Sequence, residues 1–299
     1  MAGRLTSLTY RGASALVQGL PPAVGDRLAR VGGRVAARTM KRRREMVVRH
    51  QRRASGSLED GAIAGAFDSY ARYWLEMLRM PADVRRGEVA AHFSIDGYDR
   101  ILAGLDAGKG VIVALPHLGG WEYAAAWMGH MGHRMLAVVE PIEPPDLYEW
   151  FVAQRGVIGL DVVPLGPGVL GVLLGALRDN RIVCLLSDRD LTGDGIEVDF
   201  FGERTTLPGG PATLALRTGA TLLPAAVYFR PGRDHHAVVR PPVPAVREGR
   251  LRDDVARITQ ALGHEFEELI RAAPQQWHLM QPNWPSDKTS DGPNDRKGE

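Results

Sequence analysis

The sequence is poor in cysteine: Cys184 is the single thiol in 299 residues. One cysteine excludes an intramolecular disulfide and a cysteine-based zinc cluster. Long apolar runs are also missing, since no stretch reaches about 18 uninterrupted apolar residues, the length that a membrane-spanning helix needs. Arg11 and the Pro21-Pro22 pair interrupt the first apolar segment, which therefore lacks the pattern of a signal peptide. We expect no spanning helix, and the default compartment is the cytoplasm.

Acidic residues are scarce at the start of the chain. Residues 1–53 contain 13 Lys and Arg but only Asp26 and Glu45, a net charge of +11, and the remaining residues together carry −9. Such asymmetry indicates a polyanionic partner, either a nucleic acid or an anionic membrane surface. Few aromatic side chains are interleaved with these arginines for stacking on bases, so nucleic acid is the weaker interpretation.

Apolar residues of this basic segment recur at near-helical spacing from Leu16 to Val35. The Pro21-Pro22 pair predicts a break between two helices. A basic amphipathic helix is typical of a membrane-interface segment, and the alternative is a solvated face that packs on the body of the protein. We assign residues 1–60 to a basic, membrane-associating helical segment.

A second predicted helix, over residues 62–79, carries an aromatic stripe that includes Tyr70, Tyr73 and Trp74. The stripe is typical of a core face, and it is also suited to line an apolar groove.

From residue 98 onward, predicted helices and strands alternate. The predicted strands cover residues 111–115, 135–139, 162–165, 182–186, 221–229 and 236–239. The predicted helices cover residues 98–106, 120–131, 145–155, 169–178, 211–218 and 251–271. This alternation predicts an α/β fold, with a central, mostly parallel sheet flanked by helices on both faces. We expect a single domain over residues 61–284, and the polar composition of residues 285–299 predicts a disordered tail.

His117 directly follows the predicted strand 111–115, and Glu122 stands five residues later. The carboxyl edge of such a sheet is where α/β folds place their ligands. On a continuous helix the two side chains would lie on different faces, but Gly119 and Gly120 permit a bend between them. A neutral imidazole at this turn is suited to act as a general base. The alternative is a structural histidine, with Glu122 complementing the helix dipole.

Asp188 follows the predicted strand 182–186 in the charged stretch Ser187-Asp188-Arg189-Asp190. If this strand and strand 111–115 are parallel neighbours, Asp188 and His117 emerge at the same edge of the sheet. A carboxylate held against an imidazole selects its tautomer and stabilises the imidazolium. A charged loop with an Asp–Arg pair is the alternative.

Gly166-Pro167-Gly168-Val169-Leu170-Gly171 matches the G-x-G-x-x-G pattern between a predicted strand and a predicted helix. This pattern is typical of dinucleotide-binding turns, so an NAD-dependent oxidoreductase that uses Gly166–Gly171 is an alternative hypothesis. The match is weak evidence, since glycine is abundant in this chain.

A fourth segment runs from Gly195 to Glu203 and includes Glu197, and it precedes Leu207-Pro208-Gly209-Gly210-Pro211 and a predicted helix. The free N–H groups of that helix start are suited to hold an anion or an oxyanion. A plain hairpin that leads into a helix is the alternative. No Gly-x-Ser-x-Gly elbow occurs, and His130 and His133 lack a nearby third metal ligand, so we expect no metal.

These segments, in this order, resemble the lipid A biosynthesis lauroyl/myristoyl acyltransferase family, and within it the actinobacterial phosphatidylinositol mannoside acyltransferase branch. The resemblance covers about residues 5–285. It rests on Glu140, Arg155 and three blocks: GKGVIVALPHLGGWEYAAAW, LLSDRDLTGDGIEVDFFGERTTLPGGPATLALRTGATLLP and QQWHLMQPNW.

The resemblance implies a glycerolipid acyltransferase-like fold and an acyltransferase without a resident cofactor. His117 would deprotonate an acceptor hydroxyl that attacks an acyl-CoA thioester, Asp188 would partner the histidine, and Glu122 would complete the H-x4-D/E motif. Many members carry Asp where Glu122 stands and Glu where Asp188 stands, which leaves open which acid pairs with His117. The residues implied in substrate binding are Glu140, Arg155, Arg189 and Glu197.

The implied partners are acyl-CoA, a glycolipid acceptor and an anionic cytoplasmic membrane surface, with no nucleic acid. For this branch the acceptor would be a mannose hydroxyl of phosphatidylinositol mannoside, and the acyl chain would lie in an apolar groove. The implied location is the cytoplasmic face of the cell membrane, as a peripheral protein. Acyl chain length, an acyl-carrier-protein donor and the oligomeric state stay open.

Overall fold

The computed structural model describes residues 2–290, which contain ten α-helices and nine strands. The helices are α1 (Ala2–Gly19), α2 (Pro22–Thr39), α3 (Lys41–Ser55), α4 (Ala62–Arg85), α5 (Tyr98–Asp106), α6 (Trp121–His130), α7 (Pro145–Val157), α8 (Val169–Arg178), α9 (Gly210–Thr218) and α10 (Leu251–Arg271). The strands are β1 (Phe93–Asp96), β2 (Val111–Leu115), β3 (Met135–Val139), β4 (Leu160–Pro164), β5 (Ile182–Leu186), β6 (Ile196–Phe200), β7 (Glu203–Leu207), β8 (Thr221–Phe229) and β9 (His235–Val239). Short 3-10 turns cover Val89–His92, Pro274–Gln276 and Pro285–Ser290.

Seven strands form one sheet in the order β1-β9-β8-β2-β5-β3-β4. β8, β2, β5, β3 and β4 run parallel to one another, β9 is antiparallel to β8, and β1 pairs in parallel with β9. β6 and β7 form a separate antiparallel hairpin. The expected α/β fold with a mostly parallel central sheet is confirmed.

β2 lies near the middle of the sheet and is buried along its whole length. Successive side chains of a strand point to opposite faces, so an entirely apolar strand needs cover on both sides. Ile112 packs into a core cluster with Leu177 of α8 and Phe266 of α10. Val113 packs into a second cluster with Ala125 of α6. Helices therefore cover both faces of the sheet. The carboxyl edge stays accessible, and this is where α/β folds bind their ligands.

The basic segment is helical, as predicted. α2 begins at Pro22, where a helix tolerates proline because the first N–H groups have no partner within the helix. α2 packs along α4. Apolar side chains on α1 and α2 stay exposed: Leu5, Leu8, Leu16, Val24, Leu28, Val31 and Val35. Within residues 2–290, no helix combines the length and the apolar character that crossing a membrane requires.

The structure differs from the sequence-based expectations at a short strand and at the C-terminal tail, and also in α3, which was not predicted as a separate helix, and in α4, which continues past residue 79 to Arg85. The short strand β1 was not predicted, because its four residues Phe93–Asp96 carry too brief a pattern. The predicted disordered tail begins too early, since Pro285–Ser290 forms a 3-10 turn. Asp287 in this turn is buried, accepts a hydrogen bond from Arg53 Nη1 at 2.9 Å and contacts His50 Nε2 at 3.2 Å. These contacts hold the turn on α3, and residues 291–299 lie outside the described residues.

Candidate active site

His117 lies just beyond the carboxyl end of β2, beside the end of β5. β2 and β5 are parallel neighbours, with Leu115 opposite Leu186 in the register. The backbone N–H of Ser187 donates to the carbonyl of Leu115 at 2.9 Å, which extends the pairing past the strand ends. Two residues beyond each strand end, this register brings His117 and Asp188 together.

The Asp188 carboxylate contacts His117 at two points. Asp188 Oδ1 lies 2.6 Å from His117 Nδ1, and Asp188 Oδ2 accepts the backbone N–H of His117 at 3.0 Å. Because an ionised carboxylate only accepts hydrogen bonds, the Nδ1 atom of His117 carries a proton toward Asp188, and in the neutral tautomer the lone pair then lies on Nε2. The imidazole is about one third exposed (36%), whereas the Asp188 side chain is fully buried.

A third hydrogen bond to Asp188 comes from the indole of Trp277, whose Nε1–H donates to Asp188 Oδ2 at 2.7 Å. Burial alone would raise the pKa of Asp188. The charge of His117 and the hydrogen bonds from His117 and Trp277 outweigh that effect and hold the pKa of this carboxyl below its ordinary value. Asp188 is therefore an ionised, tightly oriented partner for His117.

Gly119 and Gly120 make the bend that follows His117. Gly119 has a positive φ of +59°, and a Cβ atom there would lie 1.9 Å from the carbonyl oxygen of Val227. The backbone N–H of Gly119 donates to the carbonyl of Gln276 at 2.9 Å, and that of Gly120 donates to the carbonyl of Val227 at 3.1 Å. The close approach to β8 therefore requires glycine at position 119.

Glu122 stands in the first turn of α6 and is buried. Its Oε1 atom accepts hydrogen bonds from Arg155 Nη2 at 2.8 Å, from Arg155 Nε at 3.2 Å and from the Tyr73 hydroxyl at 3.2 Å. Burial and the Glu122 charge raise the pKa of the Tyr73 hydroxyl well above its ordinary value, so Tyr73 remains a donor. Of the two candidate acids, Asp188 contacts the His117 ring, and Glu122 binds Arg155 and Tyr73.

A cavity of about 570 Å³ opens beside His117. The predicted aromatic stripe of α4 contributes to its wall through Tyr70, Tyr73 and Trp74. Apolar side chains from the sheet, α8 and α9 also line it: Val138, Leu165, Val169, Leu170, Leu173 and Leu214. The cavity thus combines an apolar wall with polar side chains beside His117.

The structure brings most of the predicted binding residues to this cavity. Glu140, Arg155 and Arg189 line it. Glu197 does not, because its side chain is on the exposed side of the strand β6. The glycine-rich turn at Gly166–Gly171 leads into α8, and its residues Val169 and Leu170 contribute apolar surface to the cavity.

Three residues beside the site make contacts that the sequence analysis did not predict. Trp277 binds Asp188, Tyr73 binds Glu122, and His278 donates its backbone N–H to the carbonyl of His117 at 2.7 Å. Trp277 and His278 belong to the block QQWHLMQPNW, which carried part of the family resemblance without pointing to either side chain. A buried tryptophan beside a histidine has no spacing signal that would identify it as part of a site.

Comparison with known proteins gives a consistent result. The family model described as "Bacterial lipid A biosynthesis acyltransferase" matches residues 4–286. The phosphatidylinositol mannoside acyltransferase of Mycolicibacterium smegmatis is 36% identical over 292 residues, covering 96% of this chain and 94% of that protein. The phosphatidylinositol mannoside acyltransferase of Mycobacterium tuberculosis (strain H37Rv) is 40% identical over 236 residues, covering 77% of this chain and 72% of that protein.

Proposed function

Because the chain belongs to the bacterial lipid A biosynthesis acyltransferase family and is an acyltransferase, we propose that it moves a long acyl chain from acyl-CoA to a mannose hydroxyl of phosphatidylinositol mannoside. The names of the relatives from M. smegmatis and M. tuberculosis support this acceptor. Membership of an acyltransferase family also argues against the alternative hypothesis, an NAD-dependent oxidoreductase that uses Gly166–Gly171.

The observation that carries the proposal is the 2.6 Å contact between His117 Nδ1 and Asp188 Oδ1 beside the apolar cavity. Asp188 keeps the proton on Nδ1, so Nε2 is the basic atom of the ring. A hydroxyl is a weak nucleophile near pH 7, and a positioned imidazole assists it by taking its proton as it attacks.

The reaction is balanced through His117 alone. As the acceptor oxygen bonds to the thioester carbon, its proton passes to Nε2, and the carbonyl oxygen takes up the negative charge. The tetrahedral intermediate collapses when the carbon–sulfur bond breaks, and the imidazolium returns the proton to the CoA sulfur. Asp188 stabilises the imidazolium between these two steps and stays ionised throughout.

Glu122 acts at the start of α6 rather than at the reacting atoms. Its carboxylate accepts hydrogen bonds from Arg155 of α7 and Tyr73 of α4, and these contacts connect α6 to both helices beside the cavity. Glu140 and Arg189 are the polar groups of the cavity that we assign to binding the substrates. Arg189 follows Asp188 directly and has no ion-pair partner among the described residues, so its guanidinium is available to an anionic group.

The acyl chain would lie along the apolar wall that the strand ends, α8 and α9 provide. Transfer from water to such a wall contributes about 0.8 kcal/mol per buried methylene group. Long acyl donors should therefore bind more tightly than short ones, with a limit set by the volume of the cavity.

We also propose that α1 and α2 hold the protein on the anionic cytoplasmic face of the membrane as a peripheral protein. The exposed apolar residues of α2 lie on a helix that also carries Arg27, Arg30, Arg34 and Arg38. A helix of this kind inserts its apolar side chains at the interface while its arginines attract anionic lipid.

Vesicle binding tests the membrane proposal. Vesicles with phosphatidylglycerol should retain the protein at low salt and release it at high salt, and neutral phosphatidylcholine vesicles should bind weakly. The triple substitution of Leu28, Val31 and Val35 to serine should weaken binding. Val246→Ser is the control, because Val246 is equally exposed (59%) but lies in the loop before α10. Equal binding to both vesicle types would contradict the proposal.

Mass spectrometry of the product tests the reaction. Wild-type protein with palmitoyl-CoA and a phosphatidylinositol dimannoside should yield free CoA and a glycolipid with one added palmitoyl group on a mannose. Replacing palmitoyl-CoA by palmitoyl-acyl carrier protein tests the donor. CoA release without acylated mannoside would contradict the acceptor, and product formed only from the carrier protein would contradict the donor.

A further inference from the structure

A second histidine lies at the catalytic end of the cavity. His278 lines the same cavity as His117, and its backbone N–H is bound to the His117 carbonyl at 2.7 Å. Tyr70, Tyr73 and Phe229 surround its ring, with centroid distances of 5.5, 5.6 and 6.2 Å. The proposed acyl transfer needs one histidine, His117, for proton transfer, so the second imidazole calls for a separate explanation.

One nitrogen of the His278 ring has a protein partner. Nε2 lies 2.8 Å from the hydroxyl of Ser69, a buried serine in the middle of α4. Within residues 2–290 the Ser69 hydroxyl has no other acceptor, so it donates to Nε2 and the ring proton resides on Nδ1. Nδ1 has no partner among those residues and is not sealed from solvent. The His278 ring, which lines the cavity, therefore has one N–H donor without a partner among the described residues.

This donor stays neutral at working pH. Burial, followed by the nearby charge of His117, lowers the pKa of His278 to about 3, although Asp188 acts in the opposite direction. A neutral imidazole polarises a carbonyl without placing a permanent positive charge beside the base. A cation at the same place would oppose protonation of His117.

Three other polar side chains of the cavity already donate to the protein, whereas the Arg189 guanidinium has no ion-pair partner among the described residues and would bring a permanent positive charge. The Tyr73 hydroxyl donates to Glu122, the Ser187 hydroxyl donates to the carbonyl of Leu185, and Thr192 donates to Asp190. The negative charge that develops on the thioester oxygen needs a donor that is free before the reaction begins. The Nδ1–H group of His278 meets that requirement.

We propose that His278 is a second catalytic residue, whose Nδ1–H donates a hydrogen bond to the thioester carbonyl oxygen and to the oxyanion that this oxygen becomes. The role rests on the proposed acyl transfer. No bond to His278 forms or breaks, since the proton stays on Nδ1 and the charge passes back into the carbonyl when the sulfur leaves. Ser69 is a positioning residue, because it selects the tautomer.

Two isosteric substitutions separate this role from simple packing. The amide nitrogen of asparagine overlays histidine Nδ1, and that of glutamine overlays Nε2. His278→Asn therefore keeps a donor at the cavity and loses the contact with Ser69. His278→Gln keeps the contact with Ser69 and loses the donor at the cavity.

The experiment measures kcat and KM for both variants and for Ser69→Ala, with palmitoyl-CoA and a phosphatidylinositol dimannoside. His278→Gln should lower kcat about 100-fold, as loss of one oxyanion donor does, with little change in KM. His278→Asn should retain at least about tenfold more activity than His278→Gln, again because of that donor. Ser69→Ala should lower kcat about fivefold, the factor that corresponds to one neutral hydrogen bond. The pH–rate profile should keep its shape, since His117 and Asp188 are untouched.

A His278→Gln variant as active as wild type, or more active than His278→Asn, would overturn the inference in favour of an anchoring role. If either His278 variant does not fold, unchanged kcat in Ser69→Ala would also overturn it. Hydrolysis of palmitoyl-CoA by water gives a readout that needs the same oxyanion and no glycolipid. Wild-type hydrolysis without transfer contradicts the proposed acceptor alone, and the order of the variants in hydrolysis then tests His278 separately.

Discussion

The carboxylate of Asp188 binds His117 through both oxygens, Oδ1 at the ring Nδ1 (2.6 Å) and Oδ2 at the backbone N–H (3.0 Å). One buried side chain thus sets the position of the His117 backbone, the orientation of its ring and its tautomer. Strands β2 and β5 make this possible because they are parallel neighbours that end side by side. The sheet register therefore determines how the His117 ring is oriented.

Asp188→Asn should abolish most of the activity while the protein stays folded. The amide would present an N–H or a neutral oxygen to Nδ1, so the tautomer and the imidazolium both lose their stabilisation. We expect kcat to fall by about 1,000-fold or more, with thermal unfolding close to that of wild type. Steady-state kinetics check this, and a decrease below about tenfold would show that Asp188 is only structural.

Trp277→Phe should lower activity because it removes the indole donor from Asp188 Oδ2 and keeps most of the packing. Trp284→Phe is a matched control: Trp284 is also buried, and its indole donates to the carbonyl of Phe200 at 3.2 Å. Each variant loses one buried hydrogen bond, so both should be destabilised, by about 1 kcal/mol for Trp284→Phe and about 2 kcal/mol for Trp277→Phe, whose acceptor is charged.

Only Trp277→Phe should lower kcat, by about tenfold, because only Trp277 binds the carboxylate that orients His117. The measurement is kcat for both variants alongside chemical denaturation. Equal activities at equal stability would argue that Trp277 does not act through Asp188.

Glu122→Gln should destabilise the protein as well as reduce its activity. The substitution leaves the Arg155 guanidinium, which is 16% exposed, without its counter-charge. Breaking a buried ion pair from one side costs about 3 kcal/mol. Urea denaturation measures this loss. Asp199→Asn is the control, because Asp199 and Arg204 form an exposed pair that should change stability little. A stable but inactive Glu122→Gln would instead point to a direct catalytic role.

His278 makes stability depend on pH in a defined window. Its pKa is about 3 in the folded protein, against about 6.5 for an unperturbed histidine. Between these values the unfolded chain binds a proton that the folded protein does not, so stability falls as pH decreases below about 6.5. From pH 7 to pH 5 this difference amounts to about 2 kcal/mol.

Denaturation of wild type and His278→Asn at pH 7 and pH 5 measures the effect. Wild type should lose about 2 kcal/mol more than the variant over this interval, because the variant has no titrating group at position 278. Equal losses would show that His278 is protonated in the folded protein and would argue against the neutral donor.

The neighbouring positions of His117 and Asp188 could be predicted from the sequence. The apolar runs 111–115 and 182–186 have the same bounds as β2 and β5, and a polar residue that follows each of two parallel strands reaches the same edge. The helix α10 was also predicted with its observed bounds, since its apolar residues recur at a helical period over a long segment.

The contacts from Trp277, His278 and Tyr73 could not be predicted in the same way. Trp277 stands 89 residues from Asp188, and Tyr73 stands 49 residues from Glu122. Local periodicity contains no information about such distant pairs. Glu197 is the opposite case: the sequence block around it resembled the family, but the structure does not bring it to the cavity. Side chains along β6 point alternately inward and outward, and that of Glu197 points outward. The choice between Glu122 and Asp188 as the partner of His117 likewise required the three-dimensional arrangement.

The most direct test of His117 as the general base is the rate of palmitoyl transfer to phosphatidylinositol dimannoside by His117→Ala, measured beside wild type under identical conditions. If His117 is the general base, we expect a loss of at least about 1,000-fold in kcat, with an unchanged circular dichroism spectrum and unchanged thermal unfolding. A folded His117→Ala variant that transfers palmitate within about tenfold of the wild-type rate would contradict His117 as the base.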